Sequence, residues 1–149
     1  MKDYNGFSGE ERMSSYNKLK YKIQKGEVED WKNKPCEICG LQSPTNMAHQ
    51  EDYANHKHYH TLCVECHMKL HGRFSKPFIW LRHLNDVKNG YVSTPYNSAN
   101  HYFSTQKRMQ KQEFEKNIIS PLELGDEWFH KLSMQKINLK KEENTIKYE

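Results

Sequence analysis

Apolar residues in the first part of the chain recur at three- and four-residue steps: Met13, Tyr16, Leu19 and Ile23. That spacing predicts an amphipathic helix with a narrow buried stripe. Ser8-x-x-Glu11 reads as a capping box, Phe7 packs near Met13 as a loose staple, and Gly26 is the stop, so the helix runs from Gly9 to about Lys25. Lys18, Lys20, Lys22 and Lys25 occupy much of the remaining surface, and Trp31 beyond it reads as a core anchor. The pattern then changes. Met47-Ala48-His49 leads into a polar turn, Gln50 to Asn55, and His56-Lys57-His58-Tyr59-His60-Thr61 alternates as a strand does. A helix follows through Cys66-His67-Met68-Lys69-Leu70-His71 and ends at Gly72-Arg73-Phe74. From Pro77, suited to a first helical turn, Phe78-Ile79-Trp80-Leu81-x-x-Leu84-x-x-Val87 keeps helical spacing up to Gly90 and reads as core. Residues 90–105 are rich in turn formers, Gln106 to Ile119 is polar and helical, and Ser120-Pro121-Leu122-Glu123 opens another capped helix. Trp128, Phe129 and Leu132 supply packing, and the last dozen residues are charged, mixed in sign and frayed.

These elements predict an α+β protein: a small core unit at 35–74, an N-terminal helical extension at 1–34, a helical and loop region at 75–135, and a charged tail at 136–149. With 149 residues, 35% hydrophobic content and a mean hydropathy of -1.08, the chain is too polar for one large core. A small metal-stapled core fits better. No apolar run approaches membrane-spanning length, and the opening residues carry no signal-peptide pattern.

Chemistry concentrates between Cys36 and His71, which holds all four cysteines and six of the nine histidines. Two C-x2-C pairs, Cys36/Cys39 and Cys63/Cys66, have 23 residues between them. Each pair is a tight turn aiming two thiolates at one point, so the two together complete a tetrahedral Zn²⁺ shell. Unbridged zinc cysteines imply a reducing, cytoplasmic compartment. Beyond the zinc, His67 and His71 stand at i and i+4 and project from one helix face. A hard cation prefers oxygen ligands, so Asp52 or Glu51 is a credible partner to an imidazole there. A neutral histidine is well suited as a base; if His49 is a ligand instead, His56, His58 or His60 could serve.

The paired CEIC and CVEC, the central HQEDY and the closing CHMKLH resemble the ββα-metal finger of the HNH endonuclease family, over about 40 residues from Cys36 to Phe74. The resemblance says nothing about the flanks, where the helices are read from the apolar pattern alone; it implies a ββα-metal finger and metal-dependent hydrolysis of phosphodiesters. In that family the first strand ends in a pair whose first member binds a divalent metal and whose second activates water, and a helix residue completes the site. His67 matches the helix ligand, with His71 a turn later. Read as Ala48-His49, the pair keeps its base and loses a ligand; read as His49-Gln50, it keeps the ligand and Gln50 cannot take a proton. Asp52-Tyr53 favours the second reading, because many relatives show HHxDY there. The implied catalytic metal is Mg²⁺ or Mn²⁺ held by His49, Asp52, His67 and His71, with His49, Asp52 and His67 as catalytic residues. The implied setting is a bacterial or phage-infected cell, with a nicking, homing or restriction role.

Charge adds a partner. Net charge is +4, but residues 72–111 carry seven Lys/Arg against one acid. A basic segment beside a metal site suits a polyanion such as duplex DNA. Arg73, Lys76, Arg82, Lys107 and Arg108 are the expected DNA contacts, with Tyr96, Asn97, Asn100 and His101 offering hydrogen bonds to base edges. Trp128 and Phe129 form a patch that a homodimer would bury. The rival reading is a non-catalytic zinc-stabilised DNA-binding module derived from a nuclease, which Gln50 favours.

Overall fold

The computed structural model describes residues 1–113 and 125–140, with side chains in the first stretch described to residue 106. The capped helix expected at Ser120–Glu123 and the end of the charged tail lie outside the described residues, as do the side chains of Lys107 and Arg108. The elements are α1 (Gly9–Gln24), β1 (Met47–His49), β2 (His60–Leu62), α2 (Val64–His71), α3 (Pro77–Lys88) and α4 (Ala99–Glu113), with single 3-10 turns at Trp31–Asn33, Gly72–Phe74 and Trp128–His130. The protein is α+β. No helix among the described residues is long and apolar enough to cross a membrane.

Two C-x2-C turns organise the centre. At the first, the Gly40 amide donates to the Cys36 carbonyl and the Cys36 amide to the Leu41 carbonyl, both at 2.9 Å. Gly40 sits at φ +82, a conformation that costs any other residue but Asn or Asp dearly. At the second, Cys63 is the N-cap of α2, and its sulfur accepts from the Cys66 amide. Cys36, Cys39, Cys63 and Cys66 are all buried and unbridged, and they form one cluster with Ile38, Leu62, Leu70, Trp80, Leu84 and Phe129.

β1 and β2 pair antiparallel, with Met47 opposite Leu62, Ala48 opposite Thr61 and His49 opposite His60. Thr61 is tied to the first cysteine turn: its carbonyl accepts from the Glu37 amide at 2.9 Å, and its amide donates to the Glu37 carboxylate at 2.7 Å. α2 follows β2 at once and packs on α3 and α4. The expected strand over His56–Thr61 is shorter than the alternation suggested. The Gln50 side chain donates to the His56 carbonyl at 3.2 Å, closing a loop that keeps residues 56–59 out of the ladder.

α1 carries the expected capping box in both directions between Ser8 and Glu11. Its buried face differs from the apolar stripe. Ser15 and Leu19 are buried while Met13 is 43% exposed, because α1 packs on the polar loop after β1, where Gln50 donates to the Ser15 hydroxyl at 3.1 Å. Phe7 packs edge-on against Tyr53, 5.6 Å between centroids. α4 begins at Ala99, seven residues before the expected start, with the Ser98 hydroxyl accepting from the His101 amide. Tyr96 and Tyr102 are buried against Val64, so Tyr96 is core and not a base reader. Phe129 belongs to the main core, and Trp128 stacks on His60 at 3.6 Å. Both rings of the expected dimer patch therefore pack inside the chain.

Candidate metal centres

The four cysteine sulfurs lie within 4.8 Å of one another, with Cys39 and Cys63 3.6 Å apart. Thiolates held at about 2.3 Å around a tetrahedral ion are separated by about 3.8 Å, so the donors fit an ion such as zinc. The sulfurs also influence one another strongly. Hydrogen bonds from Cys39, Cys63 and Cys66 draw the Cys36 thiol down, while contact with Cys36, Cys39 and Cys63 pushes Cys66 up. Four crowded sulfurs hold several negative charges only when a cation shares them. His83, from α3, adds a contact: its Nε2 lies 3.1 Å from the Cys66 sulfur. Burial, reinforced by Lys69, pushes its pKa down to about 3, so it is neutral and can donate one N–H to that sulfur.

A second cluster forms where β1 ends against α2. His49, His67 and His71 place one ring nitrogen each within 4.8 Å of the others. His49 Nδ1 is 3.2 Å from His67 Nε2, and His71 Nε2 is 3.0 Å from His67 Nε2. Imidazole nitrogens at about 2.0–2.1 Å from one ion stand about 3.3 Å apart. The i, i+4 spacing of α2 brings His67 and His71 together, and the hairpin presents His49 to them.

Neighbouring groups decide which nitrogens are free. The Glu51 carboxylate accepts from His49 Nε2–H, from the Tyr4 hydroxyl at 2.5 Å and from Asn5 Nδ2 at 3.2 Å. With its proton on Nε2, His49 turns an unprotonated Nδ1 toward the other two rings. His67 Nδ1 faces the Met47 sulfur at 3.3 Å, which leaves its Nε2 for the centre. Burial lowers the pKa of His49 although Glu51 opposes it. Burial also holds His67 and His71 well down, reinforced by the neighbouring imidazoles and by Arg12. Burial works to raise Glu51, but hydrogen bonds from His49 and Tyr4 carry it below the ordinary carboxylate value. At neutral pH the site thus holds uncharged imidazoles beside one carboxylate.

Two expected site residues, Asp52 and Arg73, lie elsewhere. The Asp52 carboxylate accepts from the Ala54 amide at 2.9 Å within its own turn and is not part of the histidine cluster; Glu51 is the acid beside His49. Arg73 is 1% exposed, donating from Nε to the Ser133 carbonyl at 2.7 Å and from a terminal nitrogen to the Leu70 carbonyl at 2.9 Å, so its charge does not reach a surface polyanion. Gln50, bound to Ser15 and the His56 carbonyl, is structural. Lys76 and Arg82 are half-buried on and beside α3. His60 pairs with Glu37 at 2.9 Å beneath Trp128, and His58 touches His60 edge-on, so neither joins the cluster.

Tyr4, Asn5 and Glu51 were not identified as a unit in the sequence, because 46 or 47 residues separate the partners. No family model, no curated protein and no solved structure matches this chain.

Proposed function

We propose that the protein is a metal-dependent endonuclease that hydrolyses phosphodiester bonds of DNA, built on a zinc-stapled ββα-metal finger of the HNH type. The single observation that carries the reading is the convergence of His49 Nδ1, at 3.2 Å, and His71 Nε2, at 3.0 Å, on His67 Nε2, one turn of helix from a four-cysteine cluster. A zinc stapled by the cysteines accounts for a fold with so little apolar core; it does not need the histidines. When bound, a divalent ion at the imidazoles neutralises charge on the scissile phosphate and its leaving oxygen.

The chain's own residues prepare that position. Glu51 keeps the His49 proton on Nε2, so Nδ1 is an acceptor at the cluster's centre. Tyr4 and Asn5 hold the carboxylate from the N-terminal side. The 3.2 Å separation from His67 supports the ligand's role for His49 over the base's, which corresponds to the His49-Gln50 reading of the motif. Three imidazoles form a donor set that suits transition ions better than Mg²⁺, which prefers oxygen.

The test is zinc-loaded protein incubated with supercoiled plasmid or single-stranded circular DNA and Mg²⁺, Mn²⁺, Ni²⁺ or Zn²⁺. Relaxed circles indicate nicking, and linear product indicates cutting of both strands. His67→Ala should abolish cutting with cysteine-bound zinc retained. Intact DNA under every metal would leave the second reading, a non-catalytic DNA-binding module. The observation favouring that reading is Gln50, which occupies the base's place and whose side chain is committed to Ser15 and His56.

A further inference from the structure

A cleft of about 830 Å³ lies between α1 and the β1 hairpin, with His49 and His67 in its wall. Arg12, Lys20 and Lys32 also line it, against a single acid, Asp30, whose carboxylate accepts from the Lys32 amide at 3.0 Å. Half-buried Tyr16 and Tyr53 supply aromatic surface between those cations, and Trp31, itself buried, backs Tyr16. Tyr16 and Trp31 lie 5.8 Å apart at a tilt of 38°, and Arg12 stands over Tyr53 at 5.1 Å. The buried Arg12 Nε has no hydrogen-bond partner. At the far wall the cleft meets Ser98 and Ala99, the start of the 15-residue α4, whose N-terminal amides favour an anion.

Cations that track a backbone, interleaved with rings on which bases stack, form the surface that binds unpaired strands without reading sequence. A double helix hides its base faces and could not use those rings. Resting on the nuclease reading, we infer that this cleft seats an unpaired nucleic-acid strand and leads its phosphates to the histidine cluster. The preferred substrate is then DNA with a single-stranded segment beside the scissile bond: a flap, a gap or a branch. The cleft also relocates the expected contact surface from the segment after the hairpin to the N-terminal helix.

The experiment is fluorescence anisotropy with a labelled oligothymidylate of about a dozen nucleotides, enough to span one such groove. It is compared with a duplex of equal length, using zinc-loaded protein and no added divalent ion, across a salt series. We expect the single strand to bind at least tenfold more tightly. Lys20 and Lys32 are both exposed, so the double variant Lys20→Ala, Lys32→Ala should fold normally. It should lower the slope of log affinity against log salt by about 0.7 for each cation that neutralised a phosphate. Arg12→Gln should weaken binding further, whereas Lys18→Ala, on the same helix but outside the cleft, should not. Tighter duplex binding, no binding, or an unchanged salt slope in the double variant would each overturn the inference. Cutting that survives in a protein whose slope is unchanged defeats the cleft alone. Strand binding without cutting by any metal defeats the nuclease reading alone.

Discussion

Glu51 sets the chemical state of His49, and through it the state of the whole histidine cluster. Replacing it with Gln keeps an oxygen for the His49 N–H but removes the charge that makes the ring a better donor. Such a change costs about 10–100-fold in metal affinity. Isothermal titration of zinc-loaded Glu51→Gln with Mn²⁺ or Ni²⁺ should show that loss, while metal analysis still finds the cysteine-bound zinc. The same residues fix a pH dependence. His49, His67 and His71 have folded pKa values below their unfolded value near 6.5, so the unfolded chain binds more protons as pH falls. Their contribution to stability is fully present above 6.5 and is lost on acidification below it. Glu51, also depressed, loses its contribution at lower pH in the same direction. Urea midpoints of protein lacking an ion at the histidines should therefore fall steadily from pH 7 to pH 5; a flat profile would refute the burial of neutral rings. The histidines were legible because the C-x2-C pairs and the i, i+4 repeat are local patterns. The pattern offers Asp52 or Glu51 without choosing between them, because both lie past the end of β1, where side chains no longer alternate and only the fold decides which acid turns inward.

Elements show a similar division. The capping box of α1, the proline that opens α3 and the two cysteine turns all follow from residues within four positions of one another. The face α1 buries did not, since Ser15 is covered by Gln50, a partner 35 residues away. α4 starts early because Ser98 caps it, a short signal inside a stretch otherwise rich in turn formers. Gly40 tests the first cysteine turn cleanly. A methyl group there meets nothing within 4 Å, so Gly40→Ala is opposed by the left-handed backbone alone. The expected cost is about 1–2 kcal/mol, read as a lower denaturation midpoint. A larger loss accompanied by missing zinc would mean that the turn itself is rebuilt.

For the molecule as a whole, the cysteine cluster and the hydrophobic core are one object: four of the ten buried residues of the main cluster are cysteines. Four adjacent sulfurs in apolar surroundings need a cation to share their charge, so chelation of a zinc-loaded sample should abolish near-ultraviolet circular dichroism and cooperative melting together. Arg73 closes the same core from below by binding the Leu70 and Ser133 carbonyls. Arg73→Ala strands the Ser133 carbonyl, while the Leu70 carbonyl keeps the Gly72 amide as a donor; the expected cost is about 1–3 kcal/mol, read as a lower melting temperature with no change in the salt slope of DNA binding. The sequence pattern identified a basic segment but could not show which of its charges the fold consumes.

The three-pair ladder between β1 and β2 has one more implication, for the order in which the protein acquires its ions. Sliding that ladder by a single position would turn His49 to the opposite side of the hairpin, away from α2. So short a ribbon cannot hold its own alignment; Glu37, inside the first cysteine turn, does so by clasping Thr61 on both sides. The histidine cluster should therefore form only once the cysteines hold an ion. Titrated from the empty state, the chain should load hierarchically, sulfur before nitrogen, and no excess of the second ion should reverse that sequence.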